Sequence, residues 1–384
     1  MTTIAQLPSA PVPRAAVAPR LLRAAVAMPE HCYTQAELSD VLQGWLHDRP
    51  ALAEKARAIL AHAGVERRYT VRPAEWYLTH TSVAERTAVY CTEMVRLCEA
   101  AVVAVLEASG VAAEEVGLIV STSCTGIMIP SVDSHLMNRL PFRPTTRRQP
   151  LTELGCVAGA AALSQATDYL RAHPTQAAVV VSGELASLTA QVQDFSLTNV
   201  VAGALFGDGA GAAVLVGEDY VPAPGAAGGS AADGGNGGLP AARVVATRSV
   251  LFPDTLDMMG FDNTDSGLRI FLSPRVPRFL GRRVPPELDA FLAEQGLARE
   301  DLRHLLLHPG GRKVMDALEA ALALTPAQTA LSRRALREFG NLSSATVLAI
   351  LHLFAQETRP APGDFGLLMA VGPGFCAELV LLRW

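Results

Sequence analysis

Three things are scarce in these 384 residues: charge, closely paired cysteines, and long unbroken apolar runs. Only 18% of the chain is charged and its net charge is −5. That balance gives no basic footprint for nucleic acid and no polybasic membrane signal. Arginines do pair locally, at Arg67-Arg68, Arg147-Arg148, Arg282-Arg283 and Arg333-Arg334. Such pairs are usually solvated surface, although one patch could dock a phosphate-bearing substrate. The six cysteines (32, 91, 98, 124, 156 and 376) form no C-x-x-C pair, which argues against a metal site or a disulfide scaffold and for a reducing compartment. No run reaches the roughly 18 apolar residues that a membrane span needs. The first twenty residues are rich in Ala and Pro and lack an apolar core, so they read as a flexible arm rather than a signal peptide. These absences predict a cytoplasmic chain without a membrane span, a nucleic-acid partner or a bound metal.

What is present is apolar. Half of the residues are hydrophobic, enough for two packed domains or one large duplicated one. Short β-type runs alternate with helical patterns, which predicts α/β layering. Strands are expected at 116–121, 177–181, 212–216, 243–247, 302–307, 365–371 and 378–382. Helices are expected at 87–109, after Cys156, and at 343–354, the last started by Ser343 and Ser344. Residues 222–240 are nearly all Gly, Ala, Pro and Ser and read as a surface loop. The expected organisation is an arm (1–20) and two similar halves, 21–241 carrying Cys156 and 242–384 carrying His308 and Asn341.

Those three residues carry the chemistry. Cys156 sits in Glu-Leu-Gly-Cys-Val-Ala-Gly-Ala-Ala-Ala-Leu (153–163), where a strand-like approach meets a helix of very small residues. A thiol at a helix N-terminus meets partial positive charge that favours the thiolate. An apolar setting works the other way and calls for a cationic neighbour. His308, in Leu-Leu-Leu-His-Pro-Gly-Gly, can supply one as imidazolium. Asn341, in Phe-Gly-Asn-Leu-Ser-Ser-Ala, can donate an amide N–H to a developing oxyanion without adding charge. That suits an enolate formed by decarboxylation, which a carboxylate at this position would repel. Each residue alone has an ordinary structural reading: core cysteine, surface histidine, turn asparagine. Together they point to a thiol enzyme that handles acyl groups.

The Gly-Cys motif, Leu-Phe-Gly-Asp-Gly-Ala-Gly (205–211), His-Pro-Gly-Gly (308–311), Gly-Asn-Leu-Ser-Ser-Ala (340–345) and Gly-Pro-Gly-Phe (372–375) occur in this order. In them the chain resembles the type III polyketide synthases, the chalcone synthase superfamily, from about residue 21 to the end. The resemblance implies a thiolase-like αβαβα fold, a homodimer, and an acyltransferase without a metal, flavin or nicotinamide cofactor, its substrates being CoA thioesters. An acyl-CoA starter would be extended by malonyl-CoA in repeated decarboxylative condensations and cyclised to a pyrone, resorcinol or related phenolic product.

Position by position, the resemblance makes Cys156 the acyl carrier and gives His308 and Asn341 the thioester carbonyl and the decarboxylation. Phe206 matches a gatekeeping phenylalanine, and Ile270 stands where a second one is expected. That departure, with Cys124 at a cavity position that is threonine in plant enzymes, is more like the bacterial branch and its fatty acyl starters. Ile129 would reach across the dimer into the partner's cavity, Thr189 would line that cavity, and Gly372, Pro373, Gly374 and Phe375 would form its floor. Lys55, Arg57 and His62 would meet CoA phosphates, and Gly310 and Gly311 would flank the pantetheine arm. Gly372-Pro-Gly-Phe-Cys-Ala superficially fits a dinucleotide fingerprint, but an apolar strand follows where a helix is required. The rivals are a single-condensation enzyme like ketoacyl synthase III and an inactive scaffold relative.

Overall fold

A computed structural model describes residues 18–79, 82–222 and 241–384. Most of the expected arm and nearly all of the expected loop at 222–240 lie outside the described residues. The first strand begins at Arg20, the last residue assigned to the arm.

Nine strands form one sheet, in the spatial order Leu302–Leu307, Phe365–Gly372, Cys376–Arg383, Ala242–Leu251, Arg20–Ala27, Asp208–Val216, Ala177–Leu185, Val116–Ser123 and Arg147–Thr152. The same pairing pattern occurs twice. Val116–Ser123 runs parallel to Ala177–Leu185, which pairs antiparallel with Asp208–Val216, itself antiparallel to Arg20–Ala27. Leu302–Leu307 runs parallel to Phe365–Gly372, followed by antiparallel Cys376–Arg383 and then antiparallel Ala242–Leu251. Within the sheet the halves meet where Arg20 pairs with Arg243 and Leu21 with Ala242.

The strands form where β-branched and aliphatic residues run together, and most are buried on both faces, as covered sheets require. Their period of two sorts side chains into layers. Ala178 and Val180 of the first half, like Leu368 and Ala370 of the second, face a shared inner core. Val179 and Val181 face an outer core under helix Val83–Ser109, which contributes Tyr90, Met94, Leu97, Ala101 and Val105 at helical spacing. Leu367 and Met369 face another, under helix Val276–Glu294 with Leu280, Val284, Leu288 and Phe291. Between the two half-sheets lie helices Ala158–Ala172 and Thr346–Glu357. The result is the thiolase-like αβαβα architecture.

Small residues let the central helices touch. A Cβ on Gly159 would sit 2.2 Å from Ser344 O, so only glycine permits this approach. Leu348 and Phe354 fill the rest of the layer, and truncating either to alanine would cost about 2–5 kcal/mol. The two helices occupy equivalent places in their halves, each leading to the strand that begins the antiparallel series. The residues that start them, around Cys156 and Asn341, therefore meet at the centre of the molecule.

Candidate active site

The approach to Cys156 is a forced turn. Glu153 and Gly155 have φ of 67° and 59°, in the left-handed region. A Cβ on Gly155 would lie 2.6 Å from Pro373 Cγ, so the position accepts only glycine. A single 3₁₀ turn, Gly155–Val157, then carries the cysteine into helix Ala158–Ala172. Gly372 supports this turn closely, since a Cβ there would lie 3.0 Å from Val157 N.

Cys156, His308 and Asn341 are 7%, 2% and 1% exposed. His308 ends the strand Leu302–Leu307, and its N–H donates to Met369 O at 2.8 Å. Asn341 is held by backbone bonds in both directions: its N–H donates to Leu205 O at 2.8 Å and its carbonyl accepts from Gly207 N at 3.1 Å. Its side-chain Nδ2 donates to Gly310 O at 3.1 Å, and its Oδ1 accepts from Ser343 N at 2.8 Å. A carboxamide nitrogen carries two hydrogens, so one N–H remains available after the bond to Gly310. Ser343, with φ of 48°, places its hydroxyl 3.4 Å from Cys156 Sγ and 3.4 Å from Cys124 Sγ. The chain of contacts thus runs from the His-Pro-Gly-Gly turn through Asn341 and Ser343 to the Cys156 thiol. Among the described residues no hydrogen bond joins Cys156 to His308, and His308 Nδ1 has no partner.

Burial dominates the electrostatics. It pushes the Cys156 thiol up to about 12, against the smaller opposing effect of Ser343. It pulls the His308 imidazole down to about 4. Burial thus favours the neutral thiol and the neutral imidazole, and works against the thiolate–imidazolium pair that the helix end favours.

A mostly apolar cavity of about 1110 Å³ opens beside Cys156 and Ser343, which line it, whereas His308 and Asn341 are not among its lining residues. Of the residues singled out by sequence, Cys156, Cys124, Ile129, Thr189, Phe206, Ile270 and Pro373 line it. Phe375 does not: its side chain is fully buried in the outer core of the second half, 5.7 Å from the Phe279 ring. Gly374 abuts Leu251, so of the four floor residues only Pro373 reaches the cavity. Lys55, Arg57 and His62 are exposed on helix Pro50–His62, off the cavity wall, with Arg57 bonded to Gln43 and His62 to Ala58 O. Gly310 and Gly311 form the turn before helix Arg312–Leu322 and contribute Gly310 O to Asn341. Ile129 is 92% exposed and Ile127 also stands clear of the surface.

Two parts of the site escaped the sequence reading. Ser343 and Ser344 do not cap helix Thr346–Glu357, whose N-cap, Ala345, makes no side-chain bond. Their hydroxyls turn inward, Ser343 to the two thiols and Ser344 to Glu184 and Ser182. Glu184 is fully buried; it accepts from Thr125 Oγ1 at 2.8 Å and Cys124 N at 3.1 Å, and burial raises its pKa. Its signal was a lone carboxylate inside an apolar strand, a residue type almost never buried without partners.

A thiolase-like fold with a buried cysteine on the wall of a cavity, and histidine and asparagine motifs brought to the same centre, is the framework of an acyltransferase. Models of the chalcone and stilbene synthases match it twice, the N-terminal domain over residues 12–220 and the C-terminal domain over 243–384. The chain belongs to this family, the type III polyketide synthases. It is 40% identical over 358 residues to a 1,3,6,8-tetrahydroxynaphthalene synthase of Streptomyces peucetius subsp. caesius, covering 93% of this chain and 91% of that one. It is 32% identical over 361 residues to a phloroglucinol synthase of Pseudomonas fluorescens, covering 94% and 97%. The crystal structure of 1,3,6,8-tetrahydroxynaphthalene synthase from Streptomyces coelicolor A3(2), a bacterial type III polyketide synthase, superposes with a TM-score of 0.85 at 32% identity, over 95% of this chain and 99% of that one. Among the described residues no helix is long and apolar enough to cross a membrane.

Proposed function

We propose that this chain builds polyketides by repeated decarboxylative condensation of malonyl-CoA onto an acyl group held on Cys156, with CoA thioesters as its substrates and no bound cofactor. The observation that carries the proposal is the hydrogen-bonded path Gly310–Asn341–Ser343–Cys156, whose last two residues line the 1110 Å³ cavity. Because burial favours the neutral thiol and the neutral imidazole, attack and proton transfer go together. Cys156 Sγ bonds to the acyl carbon of the starter, His308 accepts the thiol proton, and the departing CoA sulfur takes that proton back. Malonyl-CoA then loses carbon dioxide. The enolate oxygen is stabilised by the free N–H of Asn341 and by His308, in a site where water is scarce and dipoles act strongly. The enolate carbon attacks the Cys156 thioester and expels the cysteine sulfur, which takes up a proton; the lengthened chain, now a CoA thioester, is loaded back onto Cys156 with loss of CoA for the next round.

The exposed Lys55, Arg57 and His62 lie within about one and a half helical turns of the cavity-lining Leu60 and are assigned to CoA phosphates at the entrance. Ile127 and Ile129 are assigned to a homodimer contact, which would take two large apolar side chains out of water. For the starter, the apolar walls and the missing ring at Ile270 favour a fatty acyl group and a pyrone or resorcinol product. A second reading, a fully malonate-derived polyphenol, is favoured by the tetrahydroxynaphthalene and phloroglucinol synthases among the relatives. Incubation with malonyl-CoA alone and with a panel of acyl-CoA starters, read by product mass, separates them. Polyphenol from malonyl-CoA alone selects the second reading, and products carrying the starter's alkyl chain select the first. A single condensation, or no product in any arm, defeats the proposal.

A further inference from the structure

One wall of the cavity hangs outside the nine-stranded sheet. Strands Met259–Thr264 and Gly267–Leu272 form a separate antiparallel hairpin. Met259, Phe261, Leu268 and Ile270 of this hairpin line the cavity. Its base is closed by Ser273 N donating to Met258 O at 2.8 Å, and the buried Met258 side chain packs into the outer core of the second half. Its turn is held by two side chains from elsewhere in the chain, Arg86 and Gln191.

Gln191 is buried, with 6% exposure, and lines the cavity. Its Nε2 faces three carbonyls: Leu268 O at 3.0 Å, Ser266 O at 3.2 Å and Thr189 O at 3.3 Å. Its Oε1 accepts from Ser266 Oγ at 2.5 Å. Its own backbone carbonyl accepts from Asn199 Nδ2 at 2.8 Å, on the helix Leu197–Leu205 whose C-cap is Phe206. Gln191 therefore joins three pieces of wall: its carboxamide holds the hairpin of Ile270 to the 3₁₀ turn of Thr189, and its backbone carbonyl holds the helix that ends at Phe206. A buried amide can satisfy two acceptors and one donor at once, which no hydroxyl, carboxylate or ammonium can do. Arg86 bonds the same Ser266 O, and Ala190 O at 2.8 Å, so the hairpin keeps an anchor when Gln191 is changed.

We propose that Gln191 is the positioning residue that sets the Ile270 hairpin against the rest of the cavity, and thereby fixes how long the polyketide grows before it cyclises. This rests on the reading of the cavity as the place of chain growth. Gln191→Met keeps the volume and removes every side-chain hydrogen bond. Gln191→Glu turns the donor into a carboxylate facing three carbonyls. Both variants should keep malonyl-CoA decarboxylation within about twofold of the parent. The ratio of full-length to prematurely released product should fall about tenfold in Gln191→Met and further in Gln191→Glu. Ser266→Ala should shift the ratio the same way by a smaller factor. Amide hydrogen exchange across residues 259–272 should speed up about tenfold or more in Gln191→Met, a readout that needs no catalysis. An unchanged product ratio in a Gln191→Met protein of normal thermal stability overturns the proposal. If that variant fails to fold, an unchanged ratio in Ser266→Ala does so. Should the parent make no polyketide at all, the functional reading fails instead, and the exchange measurement still decides whether Gln191 holds the hairpin.

Discussion

Cys156 and Ile270 line the same cavity but are held there by different means. The cysteine stands on a turn at the head of a central helix, with a half-sheet on either side, and Asn341 and His308 are fixed by backbone bonds to Leu205, Gly207 and Met369. Ile270 stands on a hairpin outside that sheet, kept in place at its turn by the side chains of Arg86 and Gln191. The first wall cannot shift without disturbing the αβαβα core. The second can be redrawn by changing a few side chains. Reaction chemistry is thus built into the fold, and the shape of the product into its attachments.

The largest effects should come from the first wall. Cys156→Ala should reduce polyketide formation below about a thousandth of the parent rate, while decarboxylation of malonyl-CoA, which the proposed mechanism gives to His308 and Asn341, should persist. Radiolabelled malonyl-CoA resolves carbon dioxide release from product formation. Polyketide at near-parental rates would remove Cys156 from the mechanism. Next comes Gly159→Ala, which adds a methyl 2.2 Å from Ser344 O and 2.8 Å from Val347 Cγ2. The central helices must part, at a cost of about 3 kcal/mol, moving Ser343 and Asn341 with them. Chemical denaturation should show the loss, and a fully stable variant would mean that the helices are not in contact there.

Protonation gives a graded effect on the same wall. The thiolate is the reactive form of cysteine, and the Cys156 thiol is pushed up to about 12 while His308 is lowered to about 4. Alkylation of Cys156 by iodoacetamide should therefore be slow at pH 7 and rise about tenfold per pH unit toward pH 11. A standing thiolate–imidazolium pair would instead give a rate nearly flat from pH 6 to 9. Peptide mapping by mass isolates Cys156 from Cys32, the exposed thiol that reacts first.

How far the sequence reveals each wall follows the same division. The strand at Leu302–Leu307 is read to the residue because an unbroken apolar run leaves no other assignment, and the motifs of the first wall lie at the ends of such elements. Ser343 and Ser344 mislead because serine before an apolar run signals a helix cap. Here burial recruits both hydroxyls into a polar cluster with Cys156 and Glu184, a tertiary demand that local pattern does not record. Phe375 misleads for a related reason: periodicity shows that a ring is buried, but not whether it faces a core or a cavity. The hairpin at Met259–Leu272 has the Asn-Thr-Asp-Ser-Gly turn residues and goes unnoticed between stronger signals. Gln191 carries no motif at all, since its meaning lies entirely in carbonyls some 75 positions away.

Ile270→Phe gives the smallest effect and tests the second wall directly. Phenylalanine adds a ring's volume where the hairpin strand faces the cavity, and Ile270 is only partly buried, so the extra atoms project into open space instead of forcing the core apart. Stability should stay within about 0.5 kcal/mol. The cavity loses room for about one methylene group, worth about 1 kcal/mol of discrimination in an apolar pocket, so preference should move about three- to tenfold toward shorter starters or shorter products. Combined with Gln191→Met, the shift should weaken, because a hairpin without its clamp can retreat from the added ring. Purely additive shifts in the double variant would show that Ile270 and Gln191 act independently, and a starter preference unmoved by Ile270→Phe would place the size-limiting surface elsewhere in the cavity.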